Sequence, residues 1–121
     1  MPSKYPHFSE AEFSSCVPPC FSQSMNDKFM RRLEAARVYA GVPFKLNCAF
    51  RSKAWDVSKG RSGNSYHTLG RAVDIACTDS HLRGVIVHSL LAHGFRGIGI
   101  GKNFIHVDDR PEFCFFHYYE K

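Results

Sequence analysis

The sequence predicts an α+β fold, a small antiparallel sheet flanked by helices. Three observations carry this expectation. Two stretches place apolar residues at helical spacing, several short runs alternate with the period of a strand, and two of those runs flank a glycine-containing turn as a hairpin would.

Residues 1–23 read as an irregular N-terminal segment. A helix follows over residues 25–40, where Met25, Phe29, Leu33, Ala36 and Ala40 recur on one face. Ser24 is placed to cap its start and Gly41 to end it. Residues 44–50 alternate like a strand that delivers Arg51 at its end. The polar, glycine-containing residues 52–64 then form a loop, the kind of segment on which function often sits. Gly70 predicts a bend, and the alternation over residues 71–76 a strand leaving it. Asp79 or Ser80 can cap a helix from about residue 81 to residue 93 that buries Leu82, Val85, Ile86 and Leu90 and ends at Gly94. Residues 97–100 and 104–108 form the hairpin around Gly101, Lys102 and Asn103. Residues 113–119 are a last strand or an apolar tail packed on the sheet.

With 121 residues, 44% of them hydrophobic, the chain can bury a core of its own, so a single domain over residues 1–121 is expected, without repeats or low-complexity segments. No apolar run is long enough to cross a membrane, and the start, from Met1 to His7, lacks the hydrophobic centre of a signal peptide. This predicts a soluble chain made in the cytoplasm, or a mature form, with no membrane insertion and acting as a monomer. A net charge of +5 and a pI near 9.1 favour polyanions. The basic residues are scattered, however, and no aromatic-interleaved recognition motif stands out, so no specific nucleic-acid partner is expected. The five cysteines, Cys16, Cys20, Cys48, Cys77 and Cys114, fit no zinc-ribbon spacing. Free thiols are expected, with Cys48 and Cys77 buried in strands, although Cys16 and Cys20 are close enough for a local disulfide or metal clip.

The chemistry lies in two segments. Ser65-Tyr66-His67-Thr68-Leu69-Gly70-Arg71-Ala72-Val73-Asp74 supplies an imidazole and a carboxylate, and Ile105-His106-Val107-Asp108 supplies a second imidazole. Three nitrogen and oxygen ligands with a fourth position left to water are what a catalytic zinc site needs, whereas structural sites close with four, usually including cysteines. Strand alternation puts Asp74 on one face with Ala72 and Ala76, leaving room for a metal, while Val73 and Ile75 enter the core. The same period puts His106 beside Asp108 and turns Ile105 and Val107 the other way. Taken singly, each of these residues is more often a hydrogen-bonded structural group. Their joint spacing is what points to a hydrolase.

These residues resemble the zinc peptidases of bacterial cell walls, the group of D-Ala-D-Ala carboxypeptidases, dipeptidases and L-alanyl-D-glutamate endolysins, to which the hedgehog signalling domain is related. Their pattern, Ser-x-His-x-x-Gly-x-Ala-x-Asp with a later His, is met at Ser65, His67, Gly70, Ala72, Asp74 and His106. Phe50-Arg51-Ser52 looks like the family's Tyr-Arg-Ser segment, and the likeness spans residues 44–112. The resemblance implies one Zn2+ per chain held by His67, Asp74 and His106. It also makes Arg51 a binder of substrate or of the developing oxyanion, and Ser65 a residue that holds the peptide. It implies hydrolysis of peptidoglycan stem peptides or cross-links, of the D,D-carboxypeptidase, D,D-endopeptidase or L-alanyl-D-glutamate endopeptidase type, and the small size looks like that of a phage-encoded lytic enzyme acting on the cell wall.

One departure bears on mechanism. Many relatives carry Glu or Asp three residues before the last His, and here that residue is Asn103, which cannot accept a proton from water. Asp108 is the candidate general base because alternation puts it beside the metal; Asp109 and Glu112 are the alternatives, and orienting His106 or Arg110 is the competing role for Asp108. The same departure sustains a second hypothesis, a zinc-binding module of this fold without catalytic turnover. A basic nucleic-acid-binding domain is the third.

Overall fold

The structure, a computed structural model, describes residues 5–8, 13, 25–48 and 66–117, with the side chains of Cys48 and Thr68 left out. Arg51, Ser65 and the loop expected at 52–64 lie outside the described residues, as do Cys16, Cys20 and Ser24.

Helix α1 spans Asp27–Ala40. Its cap is Asn26 rather than Ser24: Asn26 has extended backbone angles, and its side-chain oxygen accepts from the Phe29 N–H at 2.9 Å. Asp27 in the first turn and Arg37 in the last complement the helix dipole. Gly41 ends the helix, its N–H donating to the Arg37 carbonyl. Phe29, Met30, Leu33 and Ala36 are buried, so the expected face is the one that packs.

Helix α2 spans Ser80–Ala92 and is capped by Asp79, whose carboxylate accepts from the Leu82 N–H at 2.8 Å. It packs against α1 and buries Ile86, Ser89 and Leu90. Ser89 is tolerated there because its hydroxyl donates to the Ile86 carbonyl at 2.8 Å. Two residues expected on this face do not join it fully: Leu82 is 38% exposed and Val85 only half-buried. Leu82 stands in the first turn beside a cleft lined by Asn47, Cys77 and Asn103, and no apolar element among the described residues covers it.

Five strands, β1 (Leu46–Cys48), β2 (Ala72–Ala76), β3 (Gly97–Ile100), β4 (Phe104–Asp108) and β5 (Cys114–His117), form one sheet in the order β1-β2-β4-β3-β5. The sheet is mixed rather than purely antiparallel. β1–β2, β2–β4 and β4–β3 are antiparallel, but β5 runs parallel to β3. Both edges of β4 are taken by β2 and β3, so the chain that reverses after β4 cannot pair with it again; it passes over β3 and meets that strand's outer edge in parallel.

One face of the sheet carries Val73, Ile75, Ile98, Ile105 and Val107, all buried in a single core with Phe29, Met30, Leu33, Ile86 and Leu90. Phe29 and Phe95 meet edge to face at 5.5 Å within it. Tyr5, Phe8 and Phe13, from the stretch expected to be irregular, join the same core, and the Tyr5 hydroxyl donates to Asp27 Oδ1 at 2.9 Å. No helix among the described residues is long and apolar enough to cross a membrane.

Leu33 is wholly buried where α1 meets this core. Leu33→Ala should therefore destabilise the protein by roughly 2–5 kcal/mol through lost burial and a residual cavity. Chemical denaturation measures this, and a loss well under 1 kcal/mol would contradict the packing.

Candidate metal centre

The other face of the sheet carries the polar groups, and strand register assembles them. Asp74 of β2 lies directly opposite His106 of β4, and Ala72 opposite Asp108. Directly opposed residues share a face, so the carboxylate and the imidazole are brought together by backbone pairing alone. On the far side of β4 the partners are Gly99 opposite His106 and Gly97 opposite Asp108. Neither has a side chain to fill the space.

His67 arrives from a short 3-10 helix, Tyr66–Leu69, just before β2. Gly70, with φ of 69°, turns the chain from that helix into the strand, a left-handed backbone that a residue with a Cβ adopts at a cost. The Gly70 N–H donates to the His67 carbonyl and the Arg71 N–H to the Tyr66 carbonyl, while the Gly70 carbonyl accepts from the Asn26 N–H at 2.8 Å. The bend is thereby fastened to the start of α1.

His67 Nε2 lies 3.4 Å and His106 Nδ1 3.1 Å from the same oxygen, Asp74 Oδ1, and all three donor atoms lie within 4.8 Å of one another. Two donors that each sit about 2.0–2.2 Å from a tetrahedral ion are about 3.4 Å apart, so the two contacts with Asp74 fit a bound metal. The donor set, two imidazole nitrogens and one carboxylate oxygen, suits a first-row divalent cation. The rings are 3% and 7% exposed, so an ion would be held in a largely desolvated site.

Each nitrogen of His106 faces a carboxylate: Nδ1 faces Asp74, and Nε2 lies 2.7 Å from Asp108 Oδ2. A carboxylate only accepts, so both positions need a proton, or one a proton and the other a metal ion. Burial works against protonation of His106, but the hydrogen bonds to Asp108 and Asp74 outweigh it and raise its pKa. Burial likewise works against the charged form of Asp74, yet the hydrogen bonds from His106 and His67 hold its carboxyl well below the usual range. For Asp108, burial is outweighed by hydrogen bonds from His106 and Arg110, and its pKa is also lowered.

Asp108 is completely buried and heavily engaged. Besides His106, its oxygens accept from Arg110 Nη2 at 2.7 Å, Arg110 Nε at 2.8 Å and the Arg110 backbone N–H at 3.2 Å. It shares the face of His106, as alternation predicts, but it meets the ring at the nitrogen turned away from Asp74. Of the alternatives, Asp109 accepts from Arg71 Nε at 2.8 Å, and Glu112 lies exposed in the turn before β5. Asn103 is exposed in the hairpin loop, its carbonyl accepting from the Cys77 N–H. Cys77 and Cys114 are free thiols; Cys77 is buried as expected, but it follows the end of β2 rather than lying in a strand.

Two groups beside the centre, Phe116 and Tyr66, escape sequence reasoning, and a third, Arg110, is anticipated only as a residue that Asp108 could orient. Phe116 of β5 has its ring 5.5 Å from that of His106, Tyr66 lies against the guanidinium groups of Arg71 and Arg110, and Arg110 engages Asp108. The signal for Arg110 is its place two residues beyond Asp108 in the extended His-Val-Asp-Asp-Arg run. Phe116 had no signal without the parallel pairing of β5.

A family model described as Peptidase M15 matches residues 6–108. Among solved structures, the chain is similar to the L-Ala D-Glu endopeptidase ChiX of Serratia marcescens, with a TM-score of 0.52 and 19% identity over 74% of this chain and 83% of that one. At that identity the likeness is one of fold. No curated protein matches the chain.

The opposed shifts around His106 predict a stability optimum in the metal-free protein. The lowered carboxyls contribute stability that is complete above their unfolded pKa of about 3.9 and is lost as pH falls; the raised imidazole contributes stability that is complete below about 6.5 and is lost as pH rises through its folded value. Thermal melting in chelator should thus peak between about pH 4 and 6.5 and decline on both sides. The alkaline decline should be smaller in His106→Gln, and an equal decline there would trace it to other groups.

Proposed function

We propose that this chain, which belongs to the M15 peptidase family, is a zinc-dependent peptidase that hydrolyses peptide bonds in peptidoglycan stem peptides or cross-links. The observation that carries the reading is the convergence of His67, His106 and Asp74, both imidazoles lying at ligand spacing from one Asp74 oxygen. Two imidazoles and one carboxylate leave a fourth position open, which distinguishes a catalytic zinc site from a closed structural one. Likeness of fold to an L-Ala D-Glu endopeptidase makes the L-alanyl-D-glutamate bond the first to assay. The net charge of +5 favours association with an anionic cell wall.

In this mechanism His67, Asp74 and His106 hold one zinc ion per monomer. Bound there, zinc would polarise the scissile carbonyl and lower the pKa of its water towards neutrality. Arg51 binds the substrate or the oxyanion as it develops, and Ser65 holds the peptide; both roles are carried by the family resemblance. For Asp108 the geometry favours an orienting role over that of general base. Its lone pairs are occupied by His106 and Arg110, and it keeps a proton on Nε2 so that Nδ1 faces the ligand cluster.

A second reading is favoured by one observation: Asp108 and Asp109, the carboxylates that follow the last ligand, are each engaged by an arginine. A zinc-binding module without turnover would have the same ligands and no proton acceptor.

Digestion of defined muropeptides by the zinc-loaded chain, with new termini identified by mass spectrometry, separates the two. Cleavage at one peptide bond is expected, abolished by chelator and restored by zinc; intact muropeptides beside stoichiometric zinc would establish the binding module. His106→Ala should lose both metal and activity.

Asp108→Asn tests the role of that carboxylate. If it orients His106, zinc affinity falls about ten- to a hundredfold and saturating zinc restores turnover. A loss of roughly two to four orders of magnitude that persists at saturating zinc would make it the base. Arg51→Lys should lower turnover with zinc content unchanged, because an ammonium lacks the fork that engages two oxygens; full activity would remove Arg51 from the site.

A further inference from the structure

We propose that Arg110 is a positioning residue for the metal centre, setting its affinity through Asp108 and the ring of His106. The inference rests on the reading that His67, Asp74 and His106 hold zinc, and it assigns a function to a side chain that touches none of the three donor atoms.

Asp108 is completely buried, and a buried carboxylate must be paired to be tolerated. His106 supplies one partner, at 2.7 Å from Oδ2. That single contact would leave the carboxylate free to rotate about its Cβ–Cγ bond and carry the imidazole with it. Arg110 removes this freedom. Its Nη2 donates to Oδ2 at 2.7 Å and its Nε to Oδ1 at 2.8 Å, a two-point contact that fixes the plane of the carboxylate, and its own N–H adds a third bond to Oδ1 at 3.2 Å. With the plane fixed, the direction of the Nε2–H bond is fixed, and so is the direction in which Nδ1 points on the other side of the ring.

The guanidinium is itself held in place. It lies 5.3 Å from the centre of the Tyr66 ring and 5.4 Å from that of Phe116. Tyr66 opens the turn that carries His67, and Phe116 packs against His106. One side chain therefore spans the two segments that bear imidazoles. The backbone has made room for it: a Cβ built on Gly97 would fall 1.8 Å from Asp108 Oδ1 and 2.7 Å from Arg110 Nε. The space above Gly97 is where the ion pair sits.

An ion pair serving only the fold would leave metal binding unchanged when weakened, so zinc affinity is the deciding measurement. It is read by competition with a chromophoric chelator, together with the thermal melting of each metal-free variant. Arg110→Lys, which keeps the charge but not the fork, and Arg110→Gln should each weaken zinc binding about ten- to a hundredfold. Gly97→Ala should act in the same direction by displacing the carboxylate from the other side. In the Asp108→Asn background, Arg110→Gln should add little further loss, because the route to His106 is already broken. Wild-type affinity in a folded Arg110→Lys, or full additivity in the double variant, would overturn the inference and leave the metal centre standing. Failure of the wild-type chain to bind zinc at all would overturn both.

Discussion

The antiparallel pairing of β2 with β4 is the constraint from which the site follows. With Asp74 opposite His106, the two side chains must emerge on the same face, while Val73 and Val107, one step along, must emerge on the other. A slip of one residue would send Asp74 into the core and Val73 towards solvent, at a cost in buried charge and lost burial that no local adjustment could recover. The polar centre and the hydrophobic core are thus two faces of one register, and each enforces the other. His67 is the one cluster member not placed by strand pairing. It is placed instead by the Gly70 bend and by the bond from Asn26 that ties this bend to α1.

The charge balance around His106 suits the site to a cation. Asp74 and Asp108 bring two negative charges into a desolvated space, and among the described residues Arg110 returns one positive charge, on the Asp108 side. The remaining negative potential is concentrated at Asp74, between the two imidazoles. A proton on His106 can neutralise it, and so can a metal ion. A metal ion would do more, since it could also engage His67, whose Nε2 stands 3.4 Å from the same oxygen.

Much of this was legible in the sequence, for reasons that are local. Both helices, the β3–β4 hairpin and the alternation that splits β2 and β4 into a core face and a polar face depend on neighbours a few residues away, and Gly41, Asp79 and Gly101 stand where their chemistry places them. The gathering of His67, Asp74 and His106 was legible through motif spacing. What escaped depends on distant chain. The parallel placement of β5 follows from occupancy of the edges of β4, so Phe116 could not be set against His106 beforehand. The sequence offers Asp108 both as an available base and as a partner of His106 or Arg110, and only the fold shows its oxygens taken by both. Tyr5 and Phe8 sit in a polar, proline-containing stretch with no periodicity, and only the unfilled side of the core explains their burial. Leu82 shows the converse error, an apolar residue with helical spacing that lies just past the end of the surface its helix covers.

The composition of β3 sets a limit on how the protein can be improved. In Gly97-Ile98-Gly99-Ile100 the isoleucines serve the core, and the glycines lie opposite Asp108 and His106 on the polar face. Glycine is a poor strand former, so this hairpin is weaker than its length would allow. A search for thermostable variants, or a consensus drawn from sheet proteins at large, would favour a β-branched residue at these positions. Such a change would stiffen the strand and close the space in which the buried ion pair lies. Stiffening this strand and keeping the buried pair of Asp108 and Arg110 therefore pull in opposite directions.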